Sequence, residues 1–270
     1  MILKSKSVEP VESPIFVFAA TWRTGSTLVQ RVINASEEVF IWGEPSFLSD
    51  LYRMTNKLEG YLDKVNFNQD VAIRKKVGGW IPVVSPSPSK ARDAVKAFLL
   101  ELYSDETKEK FGVERWGFKE VRNDAINNIL LLKKVFPESK FIFLIRDPYD
   151  VYSSLKGKKF HKNFSSPFEP IKVWEKNVRE YLATKKDINR SCILIKYEDF
   201  IKTSEDNSAL LESVARHINV PISSKMYEEL GEKVDSTSVD GLTEKEIDEI
   251  ESICGELCGV FGYVKPNARR

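Results

Sequence analysis

Residues 14–33 constrain the fold of this 270-residue chain more than any other stretch. Ile15 to Ala20 is a short apolar run of β-prone residues and reads as a buried strand. Leu28, Val29, Val32 and Ile33 recur at helical spacing and read as one face of a helix. Between them, Thr21-Trp-Arg-Thr-Gly-Ser-Thr27 is a loop of small, hydroxylated residues that opens into that helix. Such a loop turns free backbone N–H groups towards one point, where the helix dipole adds partial positive charge. The segment therefore predicts a site for a phosphate or sulfate. The plainer alternative is a strand–turn–helix with a surface arginine.

What the loop lacks narrows the anion. A nucleotide-triphosphatase loop runs G-x-x-x-x-G-K-[ST], with lysine on the β/γ-phosphates. Aligned on Gly25, this chain has Ala20 at the first glycine and Ser26 at the lysine, and its cation has moved upstream to Arg23. A Mg·ATP site without that lysine loses its main contact to the transferred group. A less charged group can be held by Arg23 and backbone amides.

A second segment repeats the architecture. Phe141 to Ile145 is an apolar strand that ends in Arg146, followed by Asp147 at a helix N-cap and Pro148 in the first turn. Arg146 is thus placed at the C-terminal edge of a buried strand, where open α/β sheets bind ligands. Ser154 follows about two helical turns on, with a hydroxyl for the same anion.

The two segments together resemble the phosphate-binding elements of the sulfotransferases that use 3′-phosphoadenosine 5′-phosphosulfate (PAPS). In that family an [RK]-[ST]-G-[ST]-T loop holds the 5′-phosphosulfate and R-[DN]-P-x-D-x-x-x-S holds the 3′-phosphate. Here they stand as Arg23-Thr24-Gly25-Ser26-Thr27 and as Arg146 to Ser154. Lys196-Tyr-Glu-Asp199 resembles the family's downstream Y-E-D, and residues 257–263 its C-terminal helix closing on Gly-Tyr. The resemblance implies an α/β three-layer fold, a central parallel β-sheet flanked by helices, of the P-loop-NTPase-like sulfotransferase type. One domain is expected over residues 14–264, after an N-terminal extension (1–13) and before a short tail (265–270).

Sulfo transfer to an alcohol or amine needs a base for the acceptor proton, a clamp on the sulfonate and charge stabilisation at the leaving oxygen. A sulfonate bears one negative charge, so cationic side chains and amides can suffice and no metal is implied. His161 and His217 stand far apart, and the cysteines lack metal-ligand spacing. Cytosolic members of the family use a histidine before the 3′-phosphate strand, but residues 116–122 hold none. The tyrosylprotein-type and several bacterial members use a glutamate about twenty residues after the first loop, a position matched by Glu44 between apolar Ile41 and Trp42 and Pro45. The resemblance makes Glu44 the base, with Lys119 and Arg23 as transition-state cations. Trp42 and Arg122 join Glu44 as acceptor-site candidates. Ser236 is matched to a family serine near the sulfonate. Tyr197 and Trp22 are candidates for stacking on adenine. The family's C-terminal R-K-G-x-x-G-D-W-K loop is absent, and Lys158, within the basic run 156–162, is the expected substitute for its 3′-phosphate contacts.

The 41 basic and 40 acidic residues leave a net charge of +1, which argues against nucleic acid or an anionic membrane as the main partner. Cys192, Cys254 and Cys258 read as buried thiols in a reducing compartment. The first residues are too short and charge-broken for a signal peptide, and no long apolar run follows, so a cytoplasmic location is expected. A Pro/Ser-rich loop at 81–89 reads as an acceptor-site lid, followed by a helix from Ala91 towards Tyr103. Thr243 and Glu246 form a capping box for a C-terminal helix with Ile247, Ile250, Leu257 and Phe261 on its apolar stripe. The expected activity is sulfo transfer from PAPS to a small hydroxyl- or amine-bearing molecule. The alternatives are an ATP-dependent small-molecule or nucleoside kinase and a nucleotide-binding protein without catalysis.

Overall fold

Five strands pair side by side in the order β2-β3-β1-β4-β5, and every neighbouring pair is parallel. They are β1 (Ile15–Ala19), β2 (Val39–Trp42), β3 (Arg115–Glu120), β4 (Lys140–Ile145) and β5 (Cys192–Lys196). The computed structural model describes residues 13–74, 85–201, 205–231 and 241–266. In chain order the helices are α1 (Ser26–Asn34), α2 (Leu48–Arg74), α3 (Ser89–Leu99), α4 (Glu106–Phe111), α5 (Ala125–Val135), α6 (Pro148–Gly157), α7 (Glu169–Ile188), α8 (Tyr197–Phe200), α9 (Glu205–Ile218), α10 (Ser224–Gly231) and α11 (Glu244–Phe261).

Alternation along the central strands splits the core in two. Phe16, Phe18, Phe118, Phe141 and Phe143 face α2, α3, α5, α7 and α11, whereas Ile15, Val17, Ala19, Ile142 and Leu144 face α1, α9 and α10. All five residues of β1 are buried, as a central parallel strand covered on both faces requires. Phe16 sits at the aromatic centre, with ring centroids 4.6 Å from Phe118 and 5.6 Å from Phe141. The expected three-layer α/β architecture is what forms.

The chain leaves β1 towards the β3/β2 side and leaves β4 towards β5. The crevice between the C-terminal ends of β1 and β4 is therefore a topological switch point, where doubly wound sheets bind ligands. Both anion-loop candidates end there.

Two local features differ from the expectation. Residues 39–42 form an edge strand where only the approach to Glu44 was expected, preceded by Glu37 at φ 63°. The helix placed from Ala91 starts two residues earlier and passes into a π-helical turn, Leu100–Asp105. Residues 81–84 of the Pro/Ser-rich loop lie outside the described residues. The C-terminal helix has both hydrogen bonds of its capping box, at Thr243 and Glu246. The three cysteines are free and buried. Among the described residues no helix is long and apolar enough to cross a membrane.

Candidate active site

All five strands deliver residues to one cleft of about 310 Å³ at their C-terminal ends. Its lining includes Trp22, Arg23, Gly25, Ser26 and Thr27 after β1, and Glu44 after β2. Lys119 and Arg122 come from the end of β3, Arg146 and Lys158 from beyond β4, and Tyr197 from beyond β5.

Gly25 caps α1 at φ 94°, and no side chain caps this helix end. The first amides of α1 are therefore free for an anion. A Cβ on Gly25 would stand 2.1 Å from Cδ2 of Tyr197, so the ring allows only glycine there. Tyr197 in turn carries the Arg146 guanidinium over its ring, 4.6 Å from the centroid. Burial raises the Tyr197 hydroxyl above its usual pKa, against the pull of Arg146. Thr24 is fully buried and donates to the Thr21 carbonyl at 2.6 Å, so its hydroxyl braces the loop from within.

At one end of the cleft, Arg146 is 8 % exposed, and its Nε has no partner among the described residues. Its Nη1 donates to the Arg23 carbonyl at 3.1 Å. Arg23 has φ 62°, and its Nε donates to Ser154 Oγ at 3.1 Å. Asp147 caps α6 by accepting from the Tyr149 amide at 2.9 Å, with Pro148 in the first turn. Lys158 reaches the cleft, whereas Lys156 is paired with Glu246 at 2.8 Å.

At the other end, Lys119 Nζ is 2.6 Å from Glu44 Oε1, and Arg122 approaches the same carboxylate at 3.8 Å. Trp42 lies opposite Phe118, so β2 and β3 end side by side and the loop after β2 carries Glu44 past the end of β3, within reach of Lys119.

One expected site residue is elsewhere. Trp42 points away from the cleft, because its Nε1 donates to Thr107 Oγ1 at 2.8 Å and its ring packs on Phe40 and Phe111. Ser236 lies outside the described residues. Trp22 lines the cleft and packs edge-on against Phe164 at 4.8 Å.

Sequence reasoning missed the residues that hold this rim together. Glu120, 2 % exposed, accepts from the amides of Ser46 at 3.1 Å, Val121 at 2.8 Å and Arg122 at 3.2 Å. It thereby joins the Glu44 loop to the β3 turn, and burial raises its pKa above the ordinary carboxyl value. Glu198 does the same beyond β5. It accepts from the Asp147 amide at 2.7 Å and the Tyr263 hydroxyl at 3.1 Å, and burial again raises its pKa. Gly262, at φ 73°, ends α11 and leads into Tyr263, so the downstream Y-E-D and Gly-Tyr segments meet.

Helix α7 closes the rim from outside. The Pro170 carbonyl accepts from Thr21 Oγ1 at 2.7 Å, and Trp174 Nε1 donates to the Arg146 carbonyl at 2.9 Å. Asn177 donates to the Ala20 carbonyl at 2.9 Å and accepts from the Ala125 amide at 3.2 Å. Positions 170, 174 and 177 form one helical stripe.

No curated protein matches the sequence. A sulfotransferase domain from the curacin biosynthetic pathway aligns over 94 % of this chain and 99 % of its own, with a TM-score of 0.58 and 15 % identity. The sulfotransferase domain of the Synechococcus PCC 7002 olefin synthase aligns over 97 % and 99 %, with a TM-score of 0.54 and 17 % identity. At such identities these matches establish the shared fold. A family model described as the sulfotransferase family matches residues 14–224. That match over most of the chain, on this fold, places the chain in the sulfotransferase family of enzymes, which transfer sulfo groups.

Proposed function

We propose that this enzyme transfers the sulfo group of PAPS to a hydroxyl or amine of a small-molecule acceptor by in-line displacement, with Glu44 as general base. The observation that carries the reading is the Glu44–Lys119 pair at 2.6 Å, in the same cleft as the buried, part-unpartnered Arg146. The residues present suit the donor. Arg146, Ser154 and Lys158 suit a 3′-phosphate, and the uncapped start of α1 suits a phosphosulfate. Bound PAPS supplies an electrophilic sulfo group joined to a phosphate leaving group.

Glu44 stands where it can take the acceptor proton as the acceptor oxygen or nitrogen becomes nucleophilic. The Lys119 ammonium is nine-tenths shielded from water, which strengthens its action on negative charge developing at the departing oxygen. The Lys119 contact also orients the Glu44 carboxylate. Arg122 closes the acceptor side, with Val121 and Trp22 as apolar walls.

Thermal unfolding with 3′-phosphoadenosine 5′-phosphate (PAP), compared with ATP plus Mg²⁺, tests the donor. At 100 times its Kd, PAP is expected to stabilise the protein by about 2.7 kcal/mol, with a smaller effect from Mg·ATP. A shift with Mg·ATP alone would sink the reading and point to phosphoryl transfer.

A further inference from the structure

Arg23 belongs by sequence to the first loop, yet its side chain engages the second. Its Nε is 3.1 Å from Ser154 Oγ, 131 residues further along the chain, and its carbonyl is held by Arg146. A serine hydroxyl that accepts from a guanidinium still has a hydrogen to donate. Arg146 is more than nine-tenths buried, lines the cleft and has an unpartnered Nε. Two guanidinium groups and a hydroxyl thus converge on one wall, an arrangement suited to a phosphate dianion. The Glu44–Lys119 pair forms separately, beyond β2 and β3. The sequence carries no R-K-G-x-x-G-D-W-K motif of the kind that adds 3′-phosphate contacts in other family members.

We infer that Arg23 is the second cation of the 3′-phosphate site, acting with Arg146 and Ser154, and that it replaces the missing C-terminal loop instead of serving the sulfo group. This rests on the PAPS reading above. It leaves the transferred group to Lys119 and the first amides of α1.

The test is calorimetric binding of PAP and of adenosine 5′-monophosphate, which differ only in the 3′-phosphate. In Arg23→Ala, PAP is expected to weaken about 10- to 100-fold, the loss of a charge-assisted hydrogen bond, while the monophosphate changes less than about 3-fold. Arg23→Lys keeps the charge without the planar donor and should recover part of the PAP affinity. Combining Arg23→Ala with Ser154→Ala should cost less than the product of the single effects, because both residues serve one phosphate. Equal losses for PAP and the monophosphate would return Arg23 to the 5′ side and overturn the inference, as would unchanged PAP affinity. Wild-type protein that does not prefer PAP would overturn the donor reading itself, an outcome visible before any variant is made.

Discussion

At the Arg146 end of the cleft the innermost polar groups are buried, with Arg23 and Lys158 exposed at its mouth, whereas at the Glu44 end Glu44 itself and Arg122 stand partly in water. Arg146, Ser154 and Tyr197 are almost inaccessible, but the side chains of Glu44 and Arg122 are 28 % and 38 % exposed. The first end is braced by Glu198, Trp174 and Pro170, and the second mainly by Glu120 and Lys119. The contrast fits a division of labour between holding one fixed nucleotide and admitting a variable acceptor. Rigid framing suits the first, and accessible side chains on short loops suit the second.

The largest expected effect separates the two ends chemically. Glu44→Gln should lower kcat for sulfo transfer by about 10²- to 10⁴-fold, the usual contribution of a general base, with PAP affinity within about 2-fold of wild type. Steady-state kinetics beside calorimetry checks both halves, and a variant retaining most of its kcat removes Glu44 from that role.

A pair of glycine substitutions sharpens the contrast in stability. Gly25→Ala forces a Cβ into Tyr197 at a left-handed φ and should cost about 1–3 kcal/mol and much of the PAP affinity. Gly43→Ala, one residue before Glu44, meets nothing within 4 Å and should change stability by less than about 0.5 kcal/mol. Denaturant unfolding of the two variants compares them, and similar losses would mean that the two loops are equally constrained.

The smallest effect lies in pH. Burial raises the Glu198 pKa above the usual 4.5, so the folded state holds a proton that the unfolded chain releases. Folded protein then binds more protons in that window. The associated stability is complete below the unfolded value and is lost as pH rises through the folded one. Glu198→Gln keeps the shape without the titration. Its Tm should gain on wild type as pH is raised from 4 towards 7. Parallel Tm curves would show that the Glu198 carboxyl is not strained by burial.

The same contrast governs how much could be read in the chain. The donor end was legible because its parts are local: a strand, a loop with Gly25 and the start of α1 lie within twenty residues, and Arg146 to Ser154 within nine. Glu44 and Lys119 were found by resemblance, and it is the pairing of β2 with β3 that brings the two strand ends together. Trp42 was drawn into the site by its nearness to Glu44, but strand alternation and Thr107 turn it elsewhere. Glu120 and Asn177 left no signal, since a carboxylate after a lysine or an amide within a charged helix looks like surface until the fold buries it.

The stripe on α7 has a mechanical consequence. One rigid helix is bonded to the loops after β1 and β4 and, through Asn177, to the start of α5 beyond β3, so none of these segments can swing outward alone without stranding a buried donor or acceptor. The rim around the cleft therefore opens as one cooperative unit and not one loop at a time.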